Sequence, residues 1–166
     1  MATTLTSGVR ITVTGNHTST LDLENAVNNL SLAKSDSLAN GTSADQADLI
    51  WHDTRSAAGS ADALDLAGSL TDAFGNTLTF AKVKGIFIHN KSTTSGYKLA
   101  VGANAAALIN WVAASGDIVN VGPDGYLLVW SPIDGYAVTG TSADILQIDP
   151  GANTVAYDIV IIGTSA

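Results

Sequence analysis

Ile118-Val119-Asn120-Val121-Gly122-Pro123-Asp124-Gly125-Tyr126-Leu127-Leu128-Val129-Trp130 sets two short apolar runs on either side of a turn. Pro presets the backbone for a turn and lacks an N–H donor, while Gly tolerates left-handed backbone. Runs this short, rich in β-branched and aromatic residues, are strands rather than helices, so the stretch predicts a β-hairpin. Ile145-Leu146-Gln147-Ile148 and Thr154 through Ile162, around Asp149-Pro150-Gly151-Ala152-Asn153, repeat the pattern and predict a second hairpin.

The same signals recur outward from this pair. Val9-Arg10-Ile11-Thr12-Val13 alternates apolar and polar residues before Gly15-Asn16. Leu49-Ile50-Trp51 opens another run, and Ala63-Leu64-Asp65-Leu66 forms a short one before Gly68. Phe74-Gly75-Asn76-Thr77 reads as a turn. From Leu78 to His89 runs the longest β-like stretch, with Lys82, Lys84, Ile86 and Ile88 on one face and Val83, Gly85, Phe87 and His89 on the other. Its second half is apolar on both faces, as a strand lying beneath a second layer requires. Tyr97 through Val101 follows Gly96. Leu21 to Ala39 has weak periodicity and is compatible with a short helix, an extended arm or a loop. Ala103 to Leu108 reads as a loop leading into a strand at Asn110-Trp111-Val112. Many short strands at this spacing predict an all-β, single-domain β-sandwich or jelly roll over residues 1–166. Within it, 46–166 is the sandwich core and 1–45 an irregular N-terminal arm.

Composition narrows the function classes. The chain has 166 residues, no cysteine, 46% hydrophobic residues and a mean hydropathy of +0.25, enough for a core without disulfides. No apolar run approaches the ~20 residues that span a bilayer, and Met1 to Arg10 shows no secretory leader pattern. The net charge is −8, and of the 15 acidic residues only Glu24 is a glutamate. Asp favours turns, where its short side chain accepts from nearby backbone N–H groups. An acidic chain whose seven basic residues are scattered does not suit nucleic acid, which is bound by neutralising phosphates.

The densest polar cluster is Trp51-His52-Asp53-Thr54-Arg55. On a strand, His52 and Asp53 point to opposite faces and do not form the oriented pair a hydrolytic triad needs. A structural contact between Asp and Arg, or strand-end hydrogen bonding, is expected there instead. His17, His52 and His89 have no metal-ligand spacing, and His89 beside Phe87 reads as an interior or edge histidine. Asp45/Asp48 and Asp62/Asp65 lack the dense oxygen loop of a calcium site. Trp51, Trp111 and Trp130 sit among apolar neighbours and read as core, the alternative being a sugar-stacking platform. The acceptor tripeptides at Asn16, Asn29, Asn40 and Asn90 read as chance matches in a Ser/Thr/Asn-rich chain. No catalytic residue, no cofactor and no metal is assigned.

Leu38-Ala39-Asn40-Gly41-Thr42-Ser43-Ala44-Asp45-Gln46-Ala47-Asp48, with Trp51 to Arg55, Leu64 through Gly75 and Tyr157 through Gly163, resembles tailed-bacteriophage virion proteins of the head decoration (cement) type. The resemblance implies a non-enzymatic structural protein on the outer surface of the capsid, made in the host cytoplasm. Its implied partners are the major capsid protein and itself, as a homotrimer first and a dimer second, with no nucleic acid and no membrane. A receptor- or carbohydrate-binding fibre or tail module is the alternative.

Overall fold

The computed structural model describes residues 4–166; residues 1–3 of the expected arm lie outside them. The described chain is all-β and contains no helix. Fourteen strands follow in order: β1 (Ser7–Thr20), β2 (Asn25–Asn40), β3 (Gln46–Ala47), β4 (Leu49–Ala58), β5 (Asp62–Asp65), β6 (Leu70–Thr71), β7 (Thr77–Leu78), β8 (Lys82–Asn90), β9 (Leu99–Gly102), β10 (Ile118–Val121), β11 (Tyr126–Trp130), β12 (Tyr136–Ala137), β13 (Ile145–Asp149) and β14 (Thr154–Thr164).

Two antiparallel sheets pack face to face. One has the order β11-β8-β14-β4, with β12 beside β8, and the other β10-β9-β13-β5. Successive strands nest: β4 pairs with β14 and β5 with β13, while β8 pairs with β11 and β9 with β10. The chain is thus folded back on itself across the two sheets of a β-sandwich. β14 shows why the sheets stack. Val155, Tyr157, Ile159 and Ile161 alternate along it and are buried against Leu99, Val101, Leu146 and Ile148 of the facing sheet. Each such side chain contributes about 1.5–3 kcal/mol when fully buried.

This winding corrects both predicted hairpins. β10 and β11 do not pair; they belong to different sheets, and Gly122–Gly125 carries the chain from one layer to the other. Asp149–Asn153 does the same between β13 and β14. Turn residues report only that the chain reverses, and a reversal across the sandwich uses the same Pro, Asp and Gly as one within a sheet. Asn90 secures the first crossing. Its Nδ2 donates to the carbonyls of Tyr97 (2.8 Å) and Val121 (3.1 Å), and its Oδ1 accepts from the Ser92 N–H.

Three further expectations change. The Leu78–His89 stretch is two strands, β7 and β8. In β8 the register with β14 slips by one residue, Gly85 lying opposite Ile162 and Val83 opposite Gly163. Lys84 is the extra residue of this bulge, so Val83 rather than Lys84 joins Ile86 and Ile88 in the core. Lys84 is itself buried, and its Nζ donates to the carbonyls of Pro132 and Ile133. Burial lowers its pKa, with the neighbouring Lys82 charge adding to the effect. No strand forms at Asn110–Val112, which lies in a long loop where the Trp111 indole donates to the Leu108 carbonyl.

The third change concerns the N-terminal segment, which is regular. β1 and β2 pair without interruption from Ser7↔Leu38 to Thr20↔Asn25 and close through Leu21–Glu24, where the Leu21 N–H donates to the Glu24 carbonyl.

The expected Asp–Arg contact is present and larger than foreseen. Arg55 lies near Asp53 (3.2 Å) but makes a two-pronged bond to Asp62 on the facing sheet, Nε to Oδ2 at 2.6 Å and Nη2 to Oδ1 at 3.0 Å. The buried Tyr157 hydroxyl donates to Asp62 Oδ2, the oxygen that also accepts from Arg55 Nε, at 2.6 Å. This cluster ties β4 and β14 to β5 at one edge of the sandwich. Burial by itself would raise the Asp62 carboxyl, but the bonds from Arg55 and Tyr157 hold it below the usual carboxylate range. Arg55 is raised, chiefly by the bond to Asp62, and the Tyr157 hydroxyl is raised by burial. Other aspartates cap turns as the composition implied: Asp65 accepts from the Ala67 N–H, Asp117 from Ala113 and Ala114, and Asp144 from Thr141.

A carboxyl held low in the folded state contributes its full stabilisation above the unfolded value of about 4 and loses it as pH falls through the folded value. Asp62→Asn should therefore lower stability near neutrality by about 1–3 kcal/mol, yet lose less than wild type on acidification. Urea titrations across the acid range read both. Because Asp72 and Asp158 are also held low, the variant keeps part of the acid sensitivity.

Candidate interaction surface

Strand pairing gives the N-terminal ribbon two unlike faces. Cross-strand partners share a face, so Val9, Ile11, Val13 and Gly15 lie with Leu30, Leu32, Lys34 and Asp36. The other, mainly polar face carries Arg10, Thr12, Thr14, Asn16 and Thr18 with Val27, Asn29, Ser31, Ala33 and Ser35. Asn16 Nδ2 donates to Asn29 Oδ1 at 2.9 Å across that polar face.

Every residue from Arg10 to Ser35 is exposed, including Ile11, Val13, Leu30 and Leu32. At the tip Leu23 is 99% exposed, between Asp22 and Glu24. Only the root is anchored. Leu38 is buried with Ala47 and Ile162 and packs against Ile50, Trp130 and Val160, while a short parallel pairing joins β2 to β3.

That root rests on the outer face of the β11-β8-β14-β4 sheet. Residues of β8 and β14 that point away from the core, Phe87, Val160 and Ile162, are apolar and flanked by Leu128 and Trp130 of β11. Between this face and Gly8–Thr12 runs an open groove of about 600 Å³, walled almost wholly by carbon. Trp130 crosses Gly85 opposite it on β8; a Cβ there would meet the indole at 2.7 and 2.8 Å. Gly85 thus lets Trp130 lie flat on the sheet and meet the arm root.

The outer face becomes polar further along. His89 stacks on Tyr126 with ring centroids 4.5 Å apart, and Tyr126 is 65% exposed. His89 Nε2 lies 3.2 Å from Asp124 Oδ1, and its Nδ1 is 3.6 Å from Asp158 Oδ2. Asp158 also accepts from Thr54 (2.6 Å) and Lys91 (3.1 Å), and the Thr54 bond leads in holding its carboxyl low.

The residues singled out in the sequence are distributed as follows. His52 faces outward and Asp53 belongs with Arg55 on the inner side, so the two do not form a base–acid pair. His17 lies on the arm, away from His52 and His89. Among the described residues no group of three or more His, Asp or Glu is placed to hold a metal ion. Asp48 accepts from the Ser165 N–H, and Asp62 and Asp65 hold Arg55 and Ala67. Trp51 is core, Trp111 borders the core, and Trp130 instead covers the outer face at the arm root. Asn90 is fully buried, which excludes its acceptor tripeptide in the folded chain. Sequence reasoning missed the arm's apolar face. Its signal was the mirrored spacing of Val9, Ile11 and Val13 against Leu30 and Leu32 about Leu21–Glu24.

No protein-family model matches the chain, and neither does any curated protein or solved structure at a significant level.

Gly85→Ala forces the indole of Trp130 off the sheet. It should lower stability by about 1–3 kcal/mol and speed proteolysis at the arm root, both measured on the purified protein. Unchanged melting together with unchanged cleavage would show that Trp130 does not brace the arm.

Proposed function

We propose that this chain is a non-catalytic structural protein of a phage virion, binding the outer capsid surface as a decoration or cement protein that stabilises the shell. One observation carries the structural role: the chain projects a long β-ribbon, one face of which exposes an apolar patch of Ile11, Val13, Leu30 and Leu32 that nothing in its own body covers. Exposed apolar surface of this extent marks an interaction site, and a ribbon standing alone is at best marginally stable in water. The chain's polar residues support a non-enzymatic reading because they are engaged in structure. Arg55, Asp62 and Tyr157 brace the two sheets, and His52 and Asp53 face opposite ways.

The virion assignment rests on the resemblance of 38–48, 51–55, 64–75 and 157–163 to phage head proteins. Charge is compatible with it. A surface at −8 suits the outside of a shell better than the side facing packaged DNA. Stabilisation then follows by mass action, since a ligand that binds only the assembled lattice opposes its disassembly.

A second reading, a carbohydrate- or receptor-binding fibre module, is favoured by Tyr126. Its exposed ring stacks on His89, which in turn reaches Asp124 and Asp158, the pairing of an aromatic plane with hydrogen-bonding groups that a sugar uses.

Purified shells incubated with the protein should retain it through sedimentation and resist heat disruption to a higher temperature. If they neither bind it nor gain heat resistance, the decoration reading fails. Glycan binding abolished by Tyr126→Ala would then establish the second reading.

A further inference from the structure

We propose that the apolar face of the arm docks on the outer face of the five-stranded sheet of a second copy of this chain, so that subunits close into a homo-oligomer by exchanging arms. This deepens the structural reading above and rests on it only for the role of the assembly, not for the contact itself.

Three observations select a second copy as the occupant. The first is complementarity of kind. Ile11, Val13, Leu30 and Leu32 form a flat apolar β surface, and Phe87, Leu128 and Val160 form another, open along the groove. Two such surfaces pack as stacked sheets about 10 Å apart. The chain's own arm walls one side of this groove with Gly8–Thr12 but does not fill it, being exposed from Arg10 onward.

The second is area. A ribbon of this length is roughly 45 Å long and about 10 Å wide, so one face offers on the order of 450 Å². Docked once, that falls well short of the roughly 800 Å² per partner of a stable interface. When each subunit both gives an arm and receives one, the contribution per subunit doubles, reaching that size at its upper bound of about 900 Å², where the whole ribbon face is covered. Only copies of the same chain carry both surfaces, and closed symmetry fills every arm and every groove.

The third is charge. Between Ser7 and Asn40 the arm carries Arg10 and Lys34 against Asp22, Glu24 and Asp36, so most of the net −8 sits on the rest of the chain. A nearly neutral arm approaches an acidic body with little repulsion, whereas two acidic bodies meeting directly repel.

The absence of cysteine makes the test direct. Val13→Cys and Leu128→Cys, introduced in separate chains and mixed under mild oxidation, should form a disulfide joining one chain of each kind, and Thr14→Cys on the polar face should not replace Val13→Cys. Sedimentation of the full chain should show a closed oligomer. Val13→Lys and Leu128→Lys should each weaken it by about tenfold or more, equivalent to ~1.4 kcal/mol, and Thr14→Lys should leave it intact. Melting curves confirm that each variant is folded; for one that is not, the cysteine pair decides.

Wild-type chains that stay monomeric at every concentration overturn the proposal, as does an oligomer indifferent to both lysines. A double-cysteine chain that bridges only within itself also overturns it, because the arm then closes on its own sheet. Shell binding is read separately. Monomers that bind shells overturn the arm exchange and leave the decoration reading standing, with capsid protein as the occupant of the apolar surfaces. Arm-exchanged oligomers that ignore shells overturn only the decoration reading.

Discussion

The structure depends on the pairing of β8 with β14, two central strands that are apolar on both faces. Ile86 and Ile88 beside Ile159 and Ile161 fill the interior, while Phe87 beside Val160 faces the other way. A strand in the middle of one sheet needs cover on both sides. The facing sheet supplies it inside. Outside, only the root of the arm does, through Leu38 and Trp130 against Ile162. The remainder of that outer face, around Phe87 and Leu128, is half-buried and borders an open groove whose other wall is Gly8–Thr12 of the arm. The core and the candidate interaction surface are therefore two consequences of one residue pattern, read from opposite sides of the same sheet.

The sequence disclosed this pattern unevenly. β4, β5, β9, β10, β11, β13 and β14 all fall on apolar runs visible beforehand, because strand formation is governed by local alternation and turn residues. Their partners were not legible. Gly122-Pro123-Asp124-Gly125 looks like a hairpin turn and joins two sheets, since the choice between pairing and stacking is made by residues far along the chain. β11 finds β8, and β10 finds β9. The phase of β8 failed for a related reason. A period of two holds until one residue is inserted, and the Lys84 bulge is fixed by its register against Ile162 and Gly163. The Arg55–Asp62–Tyr157 cluster was half visible: Arg55 was expected to meet an aspartate, but its principal partner lies on the other sheet.

The arm escaped because its two strands are individually weak signals. Leu21 to Ala39 is interrupted by Asn, Ser and Asp, and β1 breaks its alternation at Gly15-Asn16. Taken together they are regular, every residue from Ser7 to Thr20 having a partner between Asn25 and Leu38. Periodicity within one strand measures burial of one face, and here no face is buried by the chain itself. What the ribbon retains is symmetry about its turn, which a search along a single strand does not see.

Exposure on this scale needs protection before any partner arrives. A free β edge templates pairing with other chains, and natural sequences blunt such edges with charge and twist. The arm does so sparingly, with Arg10 on one face, the Lys34–Asp36 ion pair on the other and two acids around the tip leucines. Its polar face is instead dense in Thr, Ser and Asn, which are neutral and adaptable to a surface of either sign. A ribbon meant to remain solitary would carry more charge; one meant to dock must shed little water and no counter-charge when it does. The sparing use of charge along the arm, set against the acidic body that carries it, is the composition that the proposed docking on another protein surface requires.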